Sequence, residues 1–240
     1  MPNLVIIPTY NERENVEAIA RAVFDLPEAF HVLIVDDGSP DGTAAIVRTL
    51  QAEFPERLHL LERSGKLGLG TAYIAGFQWG LERDYVFFFE MDADFSHDPN
   101  DLSRLLAKCR DDGADVAIGS RYVRSGHVKN WPLDRIILSY GASLYTRLIL
   151  WMPVADPTAG FICYRRHVLE TINLNKVRFV GYAFQIAMKF AAYSLGFQVR
   201  EVPITFKDRE RGQSKMSLRI VGEAMLGVLQ MRWRRFEKKV

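Results

Sequence analysis

Three short stretches put acids where apolar runs end. Leu4–Ile7 leads into PTYNE (Pro8–Glu12), Val32–Val35 into DDGSPDGT (Asp36–Thr43), and Tyr85–Phe89 into EMDADFSH (Glu90–His97). Like charges packed at the edge of a core cost free energy unless a cation sits among them. In extended backbone, residues two apart point the same way, so Asp92 and Asp94 can converge, with Glu90 one step deeper. Hard divalent cations take oxygen ligands, and Mg2+ typically uses one or two carboxylates plus substrate phosphates. The triplet DAD therefore suits a metal–diphosphate complex. An isolated DxD is more simply a solvated loop or a helix start with Asp98 as its cap. The second acidic pair, Asp36–Asp37, at another strand end adds weight to a functional site.

The elements that must carry these acids alternate. Leu4–Ile7, Val32–Val35, Leu58–Leu61, Tyr85–Met91 and Val116–Ile118 read as short buried strands. Between them Val16, Ile19, Ala20, Val23 and Phe24 repeat at helical spacing, with Asn11 as the expected N-cap. Further helices carry Ile46, Val47 and Leu50, run over about Thr71–Leu81, and open at Asp98–Pro99 towards Arg110. This order predicts an α/β fold with a mostly parallel sheet covered on both faces. In such open sheets ligands bind at the carboxyl ends of the strands, where the three acidic stretches lie.

After Ser120 the rhythm changes. Arg121–Trp131 reads as loop, followed by a very apolar helix to about Trp151. DPTAGF (Asp156–Phe161), a short strand, a helix near Tyr182–Leu195 and a strand at Val199–Phe206 come next. A polar loop, Lys207–Lys215, precedes a final amphipathic helix from about Met216. Neither a repeat nor a linker interrupts the chain, and a single domain over residues 1–240 is expected.

Composition narrows the classes. Of 240 residues 48% are hydrophobic and 25% charged, as in ordinary globular proteins, and 31 Lys+Arg against 29 Asp+Glu leave a net charge of +2 that says little about partners. Cys109 and Cys163 show no CxxC spacing, so neither a disulfide framework nor a zinc site is implied. GKLGLG (Gly65–Gly70) fails the dinucleotide fingerprint because Tyr73 falls where a small residue is needed and the run follows the third strand, not the first. It fails the phosphate-loop pattern because Lys66 lies inside the glycines. The N-terminal apolar run is too short for a signal peptide, and Arg147 interrupts the longest apolar stretch, Ile136–Met152, so no transmembrane helix is expected. The end, MRWRRFEKKV (Met231–Val240), fits an anionic membrane surface as well as a solvated helix end.

PTYNERENV, VDDGSPDGT, EMDADFSHDP, GSRY and DRERGQSK stand in the order and spacing of the family 2 glycosyltransferases. From Val5 to about Ile220 the chain resembles the lipid-phosphate branch of that family, the dolichol-phosphate mannose synthases and related polyprenol-phosphate sugar transferases. The resemblance implies a GT-A-type nucleotide-diphospho-sugar transferase fold. Residues 1–120 would form the nucleotide-sugar half, and residues 121–240 the acceptor half with its amphipathic C-terminal helix. It places Pro8, Tyr10, Glu12, Val35 and Asp37 around the nucleoside, and Asp92, Ala93 and Asp94 along the ribose and diphosphate. Asp94 would be the main metal ligand, with Ser96 completing the shell of an Mg2+ or Mn2+ ion. Arg121, Arg209 and Lys215 would bind phosphate oxygens, Asp94 and Arg121 being the catalytic pair. Arg135 and Ser139, four apart on one helix face, resemble the family's lipid-phosphate contacts.

The implied reaction is inverting transfer of mannose from GDP-mannose to a polyprenyl phosphate on the cytoplasmic face of a membrane. Its partners would be the donor, the lipid and the membrane surface, with no nucleic acid and with a partner membrane subunit left open. An anionic acceptor needs no general base, in line with the lack of a clear catalytic histidine. Two alternatives stay open at this point: another donor such as UDP-glucose or UDP-N-acetylglucosamine, and a non-catalytic nucleotide-binding interaction protein.

Overall fold

The structure, a computed structural model, describes residues 2–177, 179, 181–208, 218–233, 236, 238 and 239. The first half alternates strand and helix: β1 (Asn3–Thr9), α1 (Val16–Phe24), β2 (Phe30–Asp36), α2 (Thr43–Gln51), β3 (Leu58–Glu62), α3 (Leu69–Leu81), β4 (Phe87–Glu90), α4 (Asp101–Arg110) and β5 (Val116–Ser120). The second half holds β6 (His127–Lys129), α5 (Leu133–Leu150), β7 (Ile162–Arg165), α6 (Arg166–Thr171), α7 (Tyr182–Ser194), β8 (Val199–Pro203), β9 (Thr205–Lys207) and α8 (Leu218–Trp233).

Seven strands form one sheet in the order β3-β2-β1-β4-β7-β5-β8, and β7 runs antiparallel to both neighbours. The strands are apolar on both faces because both faces are covered. Leu4 and Ile6 of β1 join Tyr73 and Phe77 of α3 and the buried side of α7 in one core; Val5 and Ile7 join α1, α2 and α4 in the other. This is the period-two alternation of a strand read on both sides.

Several expected boundaries move. Asn11 does not cap α1: it adopts the left-handed region (φ 56°), and α1 starts only at Val16. Its backbone N–H donates to Ser39 Oγ at 2.9 Å, which ties the end of β1 to the turn after β2. The expected strand Val199–Phe206 divides in two. β8 pairs with β5, whereas β9 leaves the sheet to pair with β6, a strand inside the stretch expected to be loop. The sequence pattern gives no hint of β6, since its three residues have no alternating apolar face to bury. α4 begins at Asp101, three residues after Asp98, whose carboxylate instead accepts from the backbone N–H and side-chain amide of Asn100. Cys109 and Cys163 are free thiols, both buried.

Candidate active site

Register brings the first two acidic stretches together. β1 and β2 pair in parallel with Pro8 opposite Val35 and Thr9 opposite Asp36, so Tyr10 and Asp37 leave the sheet side by side. Asp36 is occupied structurally: its carboxylate accepts from the Thr9 hydroxyl at 2.9 Å, the Ser39 hydroxyl at 2.6 Å and the Ser39 backbone N–H at 2.9 Å. Asp37 forms an ion pair with Arg63 at 3.2 Å and accepts from the Leu67 backbone N–H. Burial pushes its pKa up, against the pull of Arg63. Glu12 is anchored on both sides: its backbone N–H donates to Thr43 Oγ1 at 3.1 Å, and its carboxylate accepts from Asn15. Lys66 Nζ lies 4.9 Å from the centre of the Tyr10 ring, which places the glycine-rich loop over this end of the sheet. Val35 is fully buried, so its side chain belongs to the core and only its backbone can face a ligand.

The third stretch departs from simple alternation. β4 ends at Glu90, and residues 93–97 bend, with Phe95 in the left-handed region (φ 59°). The extended geometry expected to converge Asp92 and Asp94 therefore stops short of Asp94. Asp92 lines a cavity, whereas Asp94 is buried and accepts from the Ser96 backbone N–H at 3.1 Å. Ala93 is buried between them. The Ser96 hydroxyl is buried without a hydrogen-bond partner, so an oxygen donor stands unsatisfied beside the Asp94 carboxylate. No group of three or more His, Cys, Asp or Glu side chains among the described residues could hold a metal ion by itself. One carboxylate and one hydroxyl do fit a hard divalent cation that takes its remaining oxygens from a diphosphate and water. His97 stacks on Phe161 (ring centres 4.8 Å apart); burial pulls its pKa down to about 4, against the charge of Asp94, so it is neutral at pH 7.

Glu90 is fully buried, and both its oxygens lack a partner of hydrogen-bond geometry. Burial pushes its pKa up to about 7, opposed by Lys189 and by the neighbouring Gln185 amide and Tyr164 hydroxyl. The cation facing it is thus a lysine of α7. Lys189, itself fully buried, has its pKa drawn down to about 8 by burial despite Glu90 and Asp156. Its Nζ donates to the carbonyls of Ala159 at 2.6 Å and Gln185 at 2.9 Å.

Arg121 leaves the end of β5 and meets Asp156 twice. Nε and one terminal nitrogen donate to the two carboxylate oxygens at 2.7 Å each, and that nitrogen also donates to Thr158 Oγ1 at 2.8 Å. Burial pushes Asp156 up, but the Arg121 charge and hydrogen bonds outweigh it and hold the carboxyl below the usual range. Glu201 of β8 accepts from the backbone N–H groups of Ala155 and Asp156 and fixes the turn that presents this carboxylate. Tyr122, Trp131 and Phe206 surround the guanidinium.

On α5, Arg135 donates to Asp208 at 2.8 Å and lies 4.0 Å from the centre of the Trp131 ring. Arg135 Nε and Trp131 Nε1 are buried donors without partners. Ser139 Oγ accepts from the Tyr122 hydroxyl at 2.7 Å. Arg209 and Lys215 lie outside the described residues.

Asp92, His97, Arg121, Arg135 and Ser139 all line one cavity, whose other wall comes from α7 and α8. Pro8, Tyr10, Glu12 and Asp37, the residues expected around the nucleoside, are not among its lining residues; they stand at the neighbouring strand ends. Sequence reasoning singled out neither Asp156 nor the α7 pair Gln185 and Lys189. DPTAGF, and two polar residues four apart in an otherwise apolar helix, were the available signals.

The glycosyl transferase family 2 profile matches residues 4–172. The chain belongs to glycosyl transferase family 2. Members similar to it include a polyprenol monophosphomannose synthase of Mycolicibacterium smegmatis, 53% identical over 95% of this chain and 85% of that protein. An undecaprenyl-phosphate mannosyltransferase of Micrococcus luteus is 48% identical over 96% and 95%. A dolichol-phosphate mannosyltransferase of Pyrococcus furiosus is 36% identical over 95% of this chain and 63% of its own length. Among solved structures, glucosyl-3-phosphoglycerate synthase from Mycobacterium tuberculosis, in complex with Mn2+, UDP and glucosyl-3-phosphoglycerate, has TM-score 0.68 at 16% identity, covering 96% of this chain and 78% of its own. A mannosyltransferase from Pyrobaculum calidifontis with GDP-Man and Mn2+ has TM-score 0.57 at 16% identity over 95% and 69%. At that identity these two establish the shared GT-A fold. The family 2 chain is thus a glycosyltransferase with a mostly parallel central sheet and flanking helices.

Proposed function

We propose that this enzyme transfers mannose, with inversion, from GDP-mannose to the phosphate of a polyprenyl lipid. The observation that carries the reading is the single cavity joining Asp92, at the donor end of β4, to Arg121, Arg135 and Ser139 on the acceptor side. The names of the M. smegmatis, M. luteus and P. furiosus relatives support the lipid phosphate and the mannosyl group. Pro8, Tyr10, Glu12, the Val35 backbone and Asp37 hold the nucleoside, and Asp92 and Ala93 run along the ribose and diphosphate. Asp94 and the Ser96 hydroxyl hold Mg2+ or Mn2+, which when bound neutralises charge developing on the leaving diphosphate.

Arg121, buried and bidentate on Asp156, is fixed before substrate arrives and presents positive charge to the phosphates at little reorganisation cost. Arg209 and Lys215 supply further cations. Arg135 Nε and Trp131 Nε1, two unsatisfied donors on the cavity wall, receive oxygens of the acceptor phosphate, with Ser139 beside them. That phosphate is already anionic near neutral pH and attacks without a general base; neutral His97 is left as packing.

The acceptor is a lipid, and α5 and α8 expose a suitable surface. Leu133, Ile137, Leu148 and Trp151 of α5 and its C-cap, with Leu226 and Trp233 of α8, are all exposed. No described helix is long and apolar enough to cross a membrane. In this reading the enzyme lies on the membrane, at its cytoplasmic face, and the exposed apolar side chains of these helices support their placement in the interface. A panel of radiolabelled GDP-mannose, UDP-glucose and UDP-N-acetylglucosamine, each with polyprenyl phosphate and Mg2+ or Mn2+, tests the reading. Label should enter the lipid fraction from GDP-mannose and require both the lipid phosphate and the metal. Transfer from a uridine donor alone would overturn the donor assignment.

A further inference from the structure

Gln185 of α7 faces the same cavity as Asp92 and Arg121, next to Gly160. It is 2% exposed, and although the amide lies beside the Glu90 carboxyl, neither its oxygen nor its nitrogen has a partner of hydrogen-bond geometry. A buried amide without partners is costly and rare in folded proteins. Its backbone is held firmly: Lys189 Nζ donates to the Gln185 carbonyl at 2.9 Å and to the Ala159 carbonyl at 2.6 Å, which locks α7 to the 156–161 loop. The amide is thus a rigidly placed polar group on a wall otherwise made of Ile186, Met225 and Val228.

The chemistry of the amide selects its ligand. A primary amide sets two donors beside one acceptor. A phosphate offers acceptors only, so it would face the amide oxygen unfavourably, and Arg121 and Arg135 already serve that purpose. A polyprenyl chain offers no polar atom. Neighbouring hydroxyls of a hexose each donate and accept, and match both ends of the amide. We infer that Gln185 recognises hydroxyls of the hexose being transferred and is a specificity-determining residue for that sugar. The inference rests on the reading of the cavity as a sugar-transfer site.

The test compares wild type with Gln185→Leu, and with Gln185→Met to preserve side-chain length. Each is assayed with GDP-mannose and with its monodeoxy-hexose analogues. Wild type should lose about 10- to 100-fold in kcat/KM at the contacted hydroxyl, because the unpaired amide is then left buried. Both variants should lose a similar factor on the parent donor and show no further loss on that analogue. Their affinity for GDP alone, by calorimetry, should stay at the wild-type value, and their Tm should not fall, because the substitutions remove a buried amide whose hydrogen bonds are unmade. Equal deoxy penalties in wild type and variants, or a parallel loss of GDP affinity, would overturn the inference while the transfer reading stands. Wild type that transfers no hexose from any nucleotide donor would instead overturn the transfer reading and this inference with it.

Discussion

Asp94 and Glu90 are four residues apart and both buried, yet they do opposite work. Asp94 sits beside the unsatisfied Ser96 hydroxyl at the mouth of the strand ends. Asp94→Ala removes the carboxylate proposed to hold the metal, and transfer activity should fall by at least about 1000-fold, consistent with loss of a principal electrostatic contribution. The same variant should keep its Tm within a few degrees; a fully active Asp94→Ala enzyme would sink the metal assignment. Glu90 faces Lys189, Tyr164, Gln185 and, at greater cost, Asp92. Its pKa rises from 4.5 in the unfolded chain to about 7 in the fold, so the folded state binds the extra proton between those values. The stability it contributes is complete below pH 4.5 and is lost as pH rises towards 7. Lys189 moves the other way, from 10.5 down to about 8, so its burial cost is relieved only as pH rises from 8 to 10.5. Thermal denaturation of wild type and Glu90→Gln from pH 4.5 to 7 should show the wild type losing ground steadily against the variant. Parallel curves would mean that Glu90 does not titrate in that window.

At the scale of elements, α3 shows how closely helix and sheet must meet to place the strand ends. A Cβ on Gly76 would lie 2.6 Å from Ile6 Cγ2, and one on Gly80 2.6 Å from Leu4 Cδ2, both of them fully buried side chains of β1. Ala is the better helix former by about 1 kcal/mol, but overpacking a closed core costs about 1–3 kcal/mol. Gly76→Ala should therefore destabilise by about 1 kcal/mol in denaturant titration, whereas Gly141→Ala on α5, where a Cβ meets nothing within 4 Å, should stabilise by up to about 1 kcal/mol. This contrast also explains what the sequence could and could not disclose. Continuous apolar runs such as Val32–Val35 identify buried strands because both faces are covered, and acids at their carboxyl ends point to the edge where the proposed site lies. β6 and its pairing with β9 were illegible, since a strand of three residues without an apolar face carries no periodic signal. The partner of Arg121 was illegible for another reason. Asp156 lies 35 positions along the chain, and only the insertion of β7 between β4 and β5 brings its loop to the end of β5. Gln185 and Lys189 did leave a trace, because polar residues four apart on a fully buried helix face need a tertiary explanation.

For the whole molecule, the proposed catalytic cavity and the proposed membrane surface belong to the same two helices. α5 and α8 lie against each other: the Tyr145 hydroxyl donates to the Met225 carbonyl at 3.2 Å, and Arg232 stands 5.7 Å from the centre of the Trp151 ring. Their inner sides, including Ala142, Tyr145 and Val228, line the cavity that holds Arg135 and Ser139. Their outer sides expose Leu148 at 65% and Leu226 at 63%. A lipid phosphate could then reach Arg135 while its isoprenoid tail stays among the outer side chains, so extraction of the whole lipid into water is avoided. Arg232, Lys238 and Lys239 add positive charge that suits anionic headgroups. Burying a leucine side chain contributes about 1.5–3 kcal/mol. Leu148→Gln and Leu226→Gln should each weaken co-sedimentation with vesicles containing anionic phosphatidylglycerol by about tenfold or more. GDP-mannose affinity should be unchanged in both, and so should transfer to a short-chain, water-soluble polyprenyl phosphate. Vesicle binding that survives both substitutions would move the membrane contact off these helices, and a parallel loss with the soluble acceptor would show that the leucines shape the cavity and not the docking face.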